Sequence, residues 1–111
     1  MLVIPYPPSV NRIWRNYQGR TILSKEYREY KTMVARLLGV NATPSAARIR
    51  VCIHAYMPDK RRRDISNLIK VTEDILTHAG IWADDEQIDD LRIIRSGIEK
   101  PGRLEIEIEE I

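Results

Sequence analysis

Residues 47–80 have the sequence ARIRVCIHAYMPDKRRRDISNLIKVTEDILTHAG, and this stretch decides the fold class. Apolar and polar side chains alternate over residues 47–56, and this period of two predicts a strand with one face on the core. Pro58 ends the strand, because proline lacks the amide donor that a sheet requires. A helix that stops at Gly80 follows the polar segment. Its core positions recur at helical spacing: Leu68, Val71, Ile75 and Ala79.

The flanking sequence predicts further elements of both kinds. Ser24 is a favourable N-cap for a helix that Gly39 would end. The predicted elements are a strand over 2–6, a loop over 11–20, a helix over 24–38, and strands around 91–96 and over 104–108. Their order, roughly β-α-β-α-β-β, indicates an α+β or mixed α/β fold. The length of 111 residues fits one domain, which we expect to span residues 1–111.

The charge of the chain is divided unevenly between its two halves. The net charge of +2 conceals 13 basic and 3 acidic residues in 1–63, against 5 basic and 13 acidic residues in 64–111. With 43% hydrophobic residues the chain can bury a core, so it is not a disordered charged tail. The positive half indicates a polyanionic partner.

Cys52 is the single cysteine, which excludes an intramolecular disulfide and a cysteine-rich zinc site. This cysteine usage is typical of a reducing compartment, so we expect a cytoplasmic protein. No apolar run approaches the roughly 20 residues that span a bilayer, and no membrane association is expected. His54 and His78 share no ligand spacing, so we assign both to surface or structural roles and Cys52 to a structural thiol.

Two segments of the N-terminal half concentrate positive charge. Consecutive like charges are often only a solvated surface. They can also neutralise phosphates, and a loop rich in arginine and aromatic residues can stack on bases while it holds the backbone. The candidate DNA-binding residues of the two segments are Arg12, Arg15, Arg20, Lys60, Arg61, Arg62 and Arg63.

Candidate metal ligands flank the second predicted helix. Asp64 precedes it, and Asp84 and Asp85 follow it. Hard carboxylate oxygens suit Mg²⁺, which stabilises charge on a phosphoryl group and activates water. A helix of about 13 residues is roughly 20 Å long, so the acidic turn must fold back along it for these groups to meet. Two alternatives stay open: Asp64 or Ser66 as a helix cap, and the acidic turn as an ordinary polar turn.

Three motifs together resemble those of a known family. They are YPPSVNR at residues 6–12, MPDKRRRDISNLIK at residues 57–70 and HAGIWADDEQ at residues 78–87. Each motif alone would be weak, but the combination resembles the RusA family of Holliday junction resolvases, and the similarity extends over nearly the whole chain.

The resemblance implies a RusA-like fold and a small homodimeric endonuclease, often encoded by phages or prophages, that makes paired cuts in four-way DNA junctions during recombination and repair. It implies Mg²⁺ as the cofactor, with Mn²⁺ able to take its place. Carried onto matching positions, Asp64 and Asp85 would hold the metal ion as catalytic residues. Lys70 would stabilise phosphate or position the nucleophile, and Asn67 would support the site at the DNA. A two-fold dimer suits a junction of near two-fold symmetry.

Ser66 departs from the family pattern, in which Asp-x-Asp-Asn has a second aspartate at this position. A serine hydroxyl can contact Mg²⁺ or an intervening water, but it adds no formal charge. Asp84, or Asp74 within the helix, could supply the missing carboxylate. The substitution leaves open a slower nuclease, one with altered metal preference, or a non-catalytic module that binds branched DNA. A small scaffold that assembles through its charge asymmetry is a further alternative.

Overall fold

The computed structural model describes residues 1–9, 14–17, 20–39 and 43–111, with 14–17 and 20–23 described by their backbone. The elements in chain order are β1 (Leu2–Pro5), β2 (Trp14–Tyr17), β3 (Arg20–Leu23), α1 (Lys25–Leu38), β4 (Ile49–Met57), α2 (Asn67–His78), a 3-10 helix (Asp85–Gln87), β5 (Ile88–Ile98) and β6 (Arg103–Glu110). The α+β class predicted from the sequence is confirmed.

Four strands form a mixed sheet in the order β1-β6-β4-β5. β4 and β5 are parallel and α2 connects them, whereas β6 runs antiparallel to both β1 and β4. A parallel pair needs such a crossover, because a tight turn can join only antiparallel strands. The polar segment before α2 therefore lies at the end of β4, and the acidic turn lies at the start of β5.

The predicted alternation of β4 is confirmed. Ile49, Val51, Ile53 and Ala55 are buried on one face, while Arg48 and Arg50 are exposed on the other. Both helices contribute to the core that covers the buried face. The core side chains that are at most 1% exposed include Ile4, Val34, Val51, Ile53, Ile75, Leu76, Leu104 and Ile106. The opposite face carries mainly charged and polar side chains, together with Val3, Tyr56 and Ile94.

The two helices begin and end close to where the sequence placed them. Ser24 caps α1 by accepting a 3.2 Å hydrogen bond from the amide of Tyr27. Gly39, at φ 74°, follows the last turn of α1 in a conformation that favours glycine. The buried residues of α2 include Leu68, Val71 and Ile75, as the spacing predicted. Among the described residues, no helix is long and apolar enough to cross a bilayer.

The predicted loop over 11–20 is wrong where the structure describes it. β2 and β3 form an antiparallel pair, with Trp14 opposite Leu23 and Tyr17 opposite Arg20. Aromatic and β-branched residues favour such strands, and the interspersed arginines conceal the alternation in the sequence. Arg12 lies outside the described residues, and Arg15 and Arg20 are placed on β2 and β3 by their backbone.

β5 is longer than the predicted strand around 91–96. Asp89 and Asp90 lie near the start of β5. The predicted strand began after them, because aspartate is disfavoured in strands. In the structure both carboxylates are neutralised across the sheet edge. Asp89 pairs with Arg48, and Asp90 accepts a 2.9 Å hydrogen bond from Nε of Arg50. With its acidic residues paired in this way, β5 runs over Ile88–Ile98.

Candidate functional site

A cleft of about 650 Å³ lies between the N-terminal segment and the start of α2. Tyr6 and Pro7 line one side of it, and Arg62, Asp64 and Asn67 line the other. The proline-rich opening and the basic tract are about fifty residues apart in the sequence. The fold brings them together because β1 and β4 both pair with β6.

Asp59 organises the basic tract that follows β4. Its Oδ1 accepts hydrogen bonds from the amide of Arg61 at 2.8 Å and from the guanidinium of Arg63 at 2.5 Å, and its Oδ2 accepts a second bond from Arg63 at 3.1 Å. The bidentate Arg63 guanidinium, together with the Arg61 amide, lowers the pKa of Asp59 to about 2. The carboxylate therefore stays ionised, and it bends the tract into a defined turn.

The four basic side chains of this tract are not equivalent. Lys60, Arg61 and Arg62 are exposed, and the side chain of Arg61 is 82% exposed. Arg63 is turned inward, where its guanidinium binds Asp59 and lies 5.9 Å from the ring centre of Tyr6. The sequence grouped all four as phosphate-binding residues. In the structure Arg63 is bound to Asp59, and Arg61 is largely exposed although its Nε lies 4.0 Å from the same carboxylate.

α2 begins without a side-chain cap. Ser66 occupies the N-cap position in a helical backbone conformation, and its hydroxyl makes no capping hydrogen bond. Backbone bonds form the first turn instead, with the amide of Asn67 donating to the carbonyl of Asp64 at 3.2 Å. No described residue bonds to the Asp64 carboxylate, which lines the cleft. The capping interpretation of Ser66 is therefore wrong, and both side chains remain available.

Asp85 is held against the side of α2. Its Oδ1 accepts hydrogen bonds from the hydroxyl of Thr77 and, at 3.2 Å, from Nε1 of Trp82. Its Oδ2 lies 3.6 Å from the ammonium of Lys70. Asp85 therefore lies beside the last turn of α2, and the long side chain of Lys70 reaches it from the first turn. Trp82 is 2% exposed, which confirms that it anchors this turn by packing.

Glu73 adds a second carboxyl group to the same side of α2. Burial raises its pKa, and the nearby charge of Asp85 raises it further, while Lys70 opposes both effects. Lys70 thus stands between two acidic groups, although its own side chain is 84% exposed. The sequence did not single out Glu73, although its spacing of three residues from Lys70 places both on one face.

Asp84, the neighbour of Asp85, has a structural role. Its carboxylate accepts a 3.1 Å hydrogen bond from the amide of Glu86 and caps the 3-10 helix. The buried Gln87 completes the turn, because its Oε1 accepts bonds from the amides of Ala83 at 2.7 Å and Asp84 at 2.8 Å. The adjacent aspartates therefore point to different partners, and the turn is more than an ordinary polar turn.

Replacing the cap tests this role of Asp84. Asp84→Ala should lower the free energy of unfolding by about 1 kcal/mol, because an amide of the turn loses its acceptor. Asp84→Asn should change it much less, since asparagine is an equally favoured N-cap. Urea unfolding of the two variants measures the difference, and equal losses would contradict the capping role.

Asp74 cannot replace the aspartate that Ser66 lacks. Its carboxylate accepts a 2.8 Å hydrogen bond from the hydroxyl of Tyr27 and lies 3.4 Å from the ammonium of Lys31. Both partners belong to α1, so Asp74 joins the two helices. The described residues include no group of three histidine, cysteine or carboxylate ligands that contains Asp64 or Asp85.

Comparison with known proteins identifies the family. The profile of the family described as Endodeoxyribonuclease RusA matches residues 5–109. The crossover junction endodeoxyribonuclease RusA of Escherichia coli (strain K12) is 42% identical over 113 residues, which cover 99% of this chain and 93% of that protein. This chain belongs to the RusA family. A RusA relative from Enterobacteria phage 82 is 41% identical over 112 residues, again 99% of this chain and 93% of the relative.

The three sequence motifs led to the prediction of an endonuclease, and membership in the RusA family confirms it. Two of those motifs, the proline-rich opening and the basic tract with Asp64, line the cleft. The third contains Trp82 and Asp85, which are joined by the hydrogen bond at the side of α2. The first two motifs therefore lie at the cleft by the first turn of α2, and the third lies beside its last turn.

Proposed function

We propose that this RusA-family endonuclease cuts four-way DNA junctions in a pair of nicks and requires Mg²⁺. The observation that carries the proposal is the carboxylate of Asp64, which no described residue binds, in a cleft beside the exposed arginines Arg61 and Arg62. The arginines attract and hold the phosphate backbone. An acidic side chain among such basic residues repels DNA unless it binds a cation, so its presence favours a metal-dependent reaction.

The donor types along α2, two carboxylates and a hydroxyl, suit Mg²⁺. This ion usually takes one or two carboxylates and keeps several water molecules, so three clustered carboxylates are not required. Asp64 and Asp85 would supply the carboxylates, and the free hydroxyl of Ser66 would supply a neutral oxygen. A bound Mg²⁺ would stabilise charge on the phosphoryl group and activate water. Mn²⁺ has the same preference for oxygen ligands and would substitute for it.

The neighbouring side chains have separate tasks in this proposal. Lys70 neutralises Asp85 while no cation is bound, and its exposed ammonium can turn to a phosphate when the DNA arrives. Thr77 and Trp82 fix the orientation of Asp85 through their hydrogen bonds to Oδ1. Asn67, exposed at the rim of the cleft, supports the DNA contact, as do Lys60 and the arginines.

Two further parts of the proposal concern assembly and location. A homodimer would present one site to each of two opposed strands of a junction, which is what paired cuts need. The proposed substrate is DNA, so we place the activity in the cytoplasm. Sedimentation of the protein with and without a four-way junction tests the dimer separately from the cleavage.

Cleavage of a synthetic four-way junction tests the proposed function. The purified protein is incubated with the junction, or with a linear duplex of the same sequence, in the presence or absence of Mg²⁺. We expect paired nicks only with the junction and the metal. Binding without nicks would favour the non-catalytic module, and failure to bind either DNA at moderate salt would favour the scaffold.

Ser66 supports the non-catalytic alternative, because the site has one formal negative charge fewer than the family pattern. Ser66→Asp should reduce the Mg²⁺ concentration for half-maximal cutting about tenfold, which corresponds to about 1.4 kcal/mol. Ser66→Asn is the control, since it adds a side chain of similar size without charge. If Ser66→Asp and the unchanged protein need the same Mg²⁺ concentration for half-maximal cutting, a negative charge at residue 66 is not required for metal binding.

A further inference from the structure

Three potential metal ligands meet on the sheet face that lies opposite the helices. Cys52 and His54 are two residues apart on β4, and Glu107 is the partner of Cys52 on β6. Their ligand atoms all lie within 4.8 Å of one another. The sequence treated Cys52 and His54 as structural or surface residues, and it is the antiparallel pairing of the two strands that adds Glu107.

The measured distances between these atoms fit a coordination site, and the distance from Nε2 to Oε2 is long for a hydrogen bond. Sγ of Cys52 is 3.6 Å from Nε2 of His54, and Nε2 is 3.5 Å from Oε2 of Glu107. An N···O hydrogen bond is most often about 2.9–3.0 Å long. Ligands bound to a tetrahedral zinc ion at about 2.0–2.3 Å are separated by about 3.3–3.8 Å. Both measured separations fall within this second range.

The charges around the cluster also suit a divalent cation. A thiolate, a neutral imidazole and a carboxylate together supply two negative charges. The glutamates on either side of Glu107 are already engaged, since Glu105 binds Arg103 and Glu109 binds Arg50. Among the described residues, only His54 forms an ion pair with Glu107. Glu107 therefore has no arginine of its own among these residues.

We propose that Cys52, His54 and Glu107 form a binding site for Zn²⁺, with water as the fourth ligand. Thiolate and imidazole are softer donors than the oxygens near α2, and they favour zinc over Mg²⁺. Zinc binding displaces the thiol proton of Cys52 to solvent. Because the ligands come from β4 and β6, the ion would fasten the two central strands of the sheet to each other. This proposal is independent of the proposed nuclease function.

Protection of the thiol provides a direct test, because Cys52 is the single cysteine. The full-length protein is alkylated with iodoacetamide over a range of Zn²⁺ concentrations, with Mg²⁺ in a parallel series. Zinc should slow the alkylation of Cys52, and Mg²⁺ should not. His54→Ala and Glu107→Gln should each raise the zinc concentration for half-maximal protection at least about tenfold. Their folding is checked by circular dichroism.

Matched control variants distinguish zinc binding at Cys52, His54 and Glu107 from zinc binding by other side chains of the protein. His78→Ala and Glu109→Gln remove the other histidine and a neighbouring glutamate, and both should keep the protection of the unchanged protein. The variant Asp64→Asn/Asp85→Asn should still retain one zinc ion per chain in native mass spectrometry. Absence of protection would overturn the proposal. It would also be overturned if His54→Ala and Glu107→Gln stayed fully protected, or if Asp64→Asn/Asp85→Asn bound no zinc.

Discussion

Asp85→Asn is expected to reduce junction cleavage at least about 100-fold, while junction binding changes less than about threefold. Asparagine keeps the shape of the side chain and an oxygen that can accept from Thr77 and Trp82. It lacks the negative charge that would bind the metal ion and that pairs with Lys70. Binding is retained because the loss of a negative charge does not weaken the attraction of the protein to phosphates.

Asp89→Asn is the matched control for this experiment. It is the same substitution four residues later, on a carboxylate that pairs with Arg48 at the far edge of the acidic turn. Its cleavage rate should stay close to that of the unchanged protein. Cleavage rates are compared under single-turnover conditions, and binding is measured separately by gel shift. Full activity in Asp85→Asn would remove Asp85 from the proposed site.

The fold follows from the sequence where hydrophobic periodicity is simple. The strict alternation in β4 and the helical spacing in α2 each place one apolar face on the core, so both elements were predicted closely. β2, β3 and the first residues of β5 were missed because charged residues interrupt their patterns. In β5 the charges are balanced by Arg50 of β4 and by Arg48 just before it, and such pairs appear only once the strands are aligned.

The sequence predicts which residue types lie near the site, but not which partner each side chain contacts. Sequence cannot tell Asp84 from Asp85, because they are adjacent and chemically identical. The fold turns the first toward the amide of Glu86 and the second toward α2. Likewise, Arg63 differs from its neighbours because its guanidinium donates two hydrogen bonds to the Asp59 carboxylate. Local backbone geometry, rather than residue type, decides which charges remain available for DNA and metal.

Trp82→Ala is expected to lower the free energy of unfolding by about 3–5 kcal/mol. The side chain is 2% exposed, so its removal leaves a cavity beneath the acidic turn. Single domains are stable by about 5–15 kcal/mol, so this loss is a large share of the total. Urea unfolding at 25 °C measures it. If the free energy of unfolding fell by less than about 1 kcal/mol, the acidic turn would have repacked to fill the cavity.

Trp82→Phe separates packing from positioning at the same residue. Phenylalanine fills much of the volume but has no Nε1, which donates to Thr77 at 2.6 Å and to Asp85 at 3.2 Å. We expect the variant to remain folded and to cut junctions about tenfold more slowly, because Asp85 is then less firmly oriented. Its demand for Mg²⁺ should rise in parallel, which a purely structural defect would not cause. An unchanged Mg²⁺ titration together with slower cutting would assign Trp82 to packing alone.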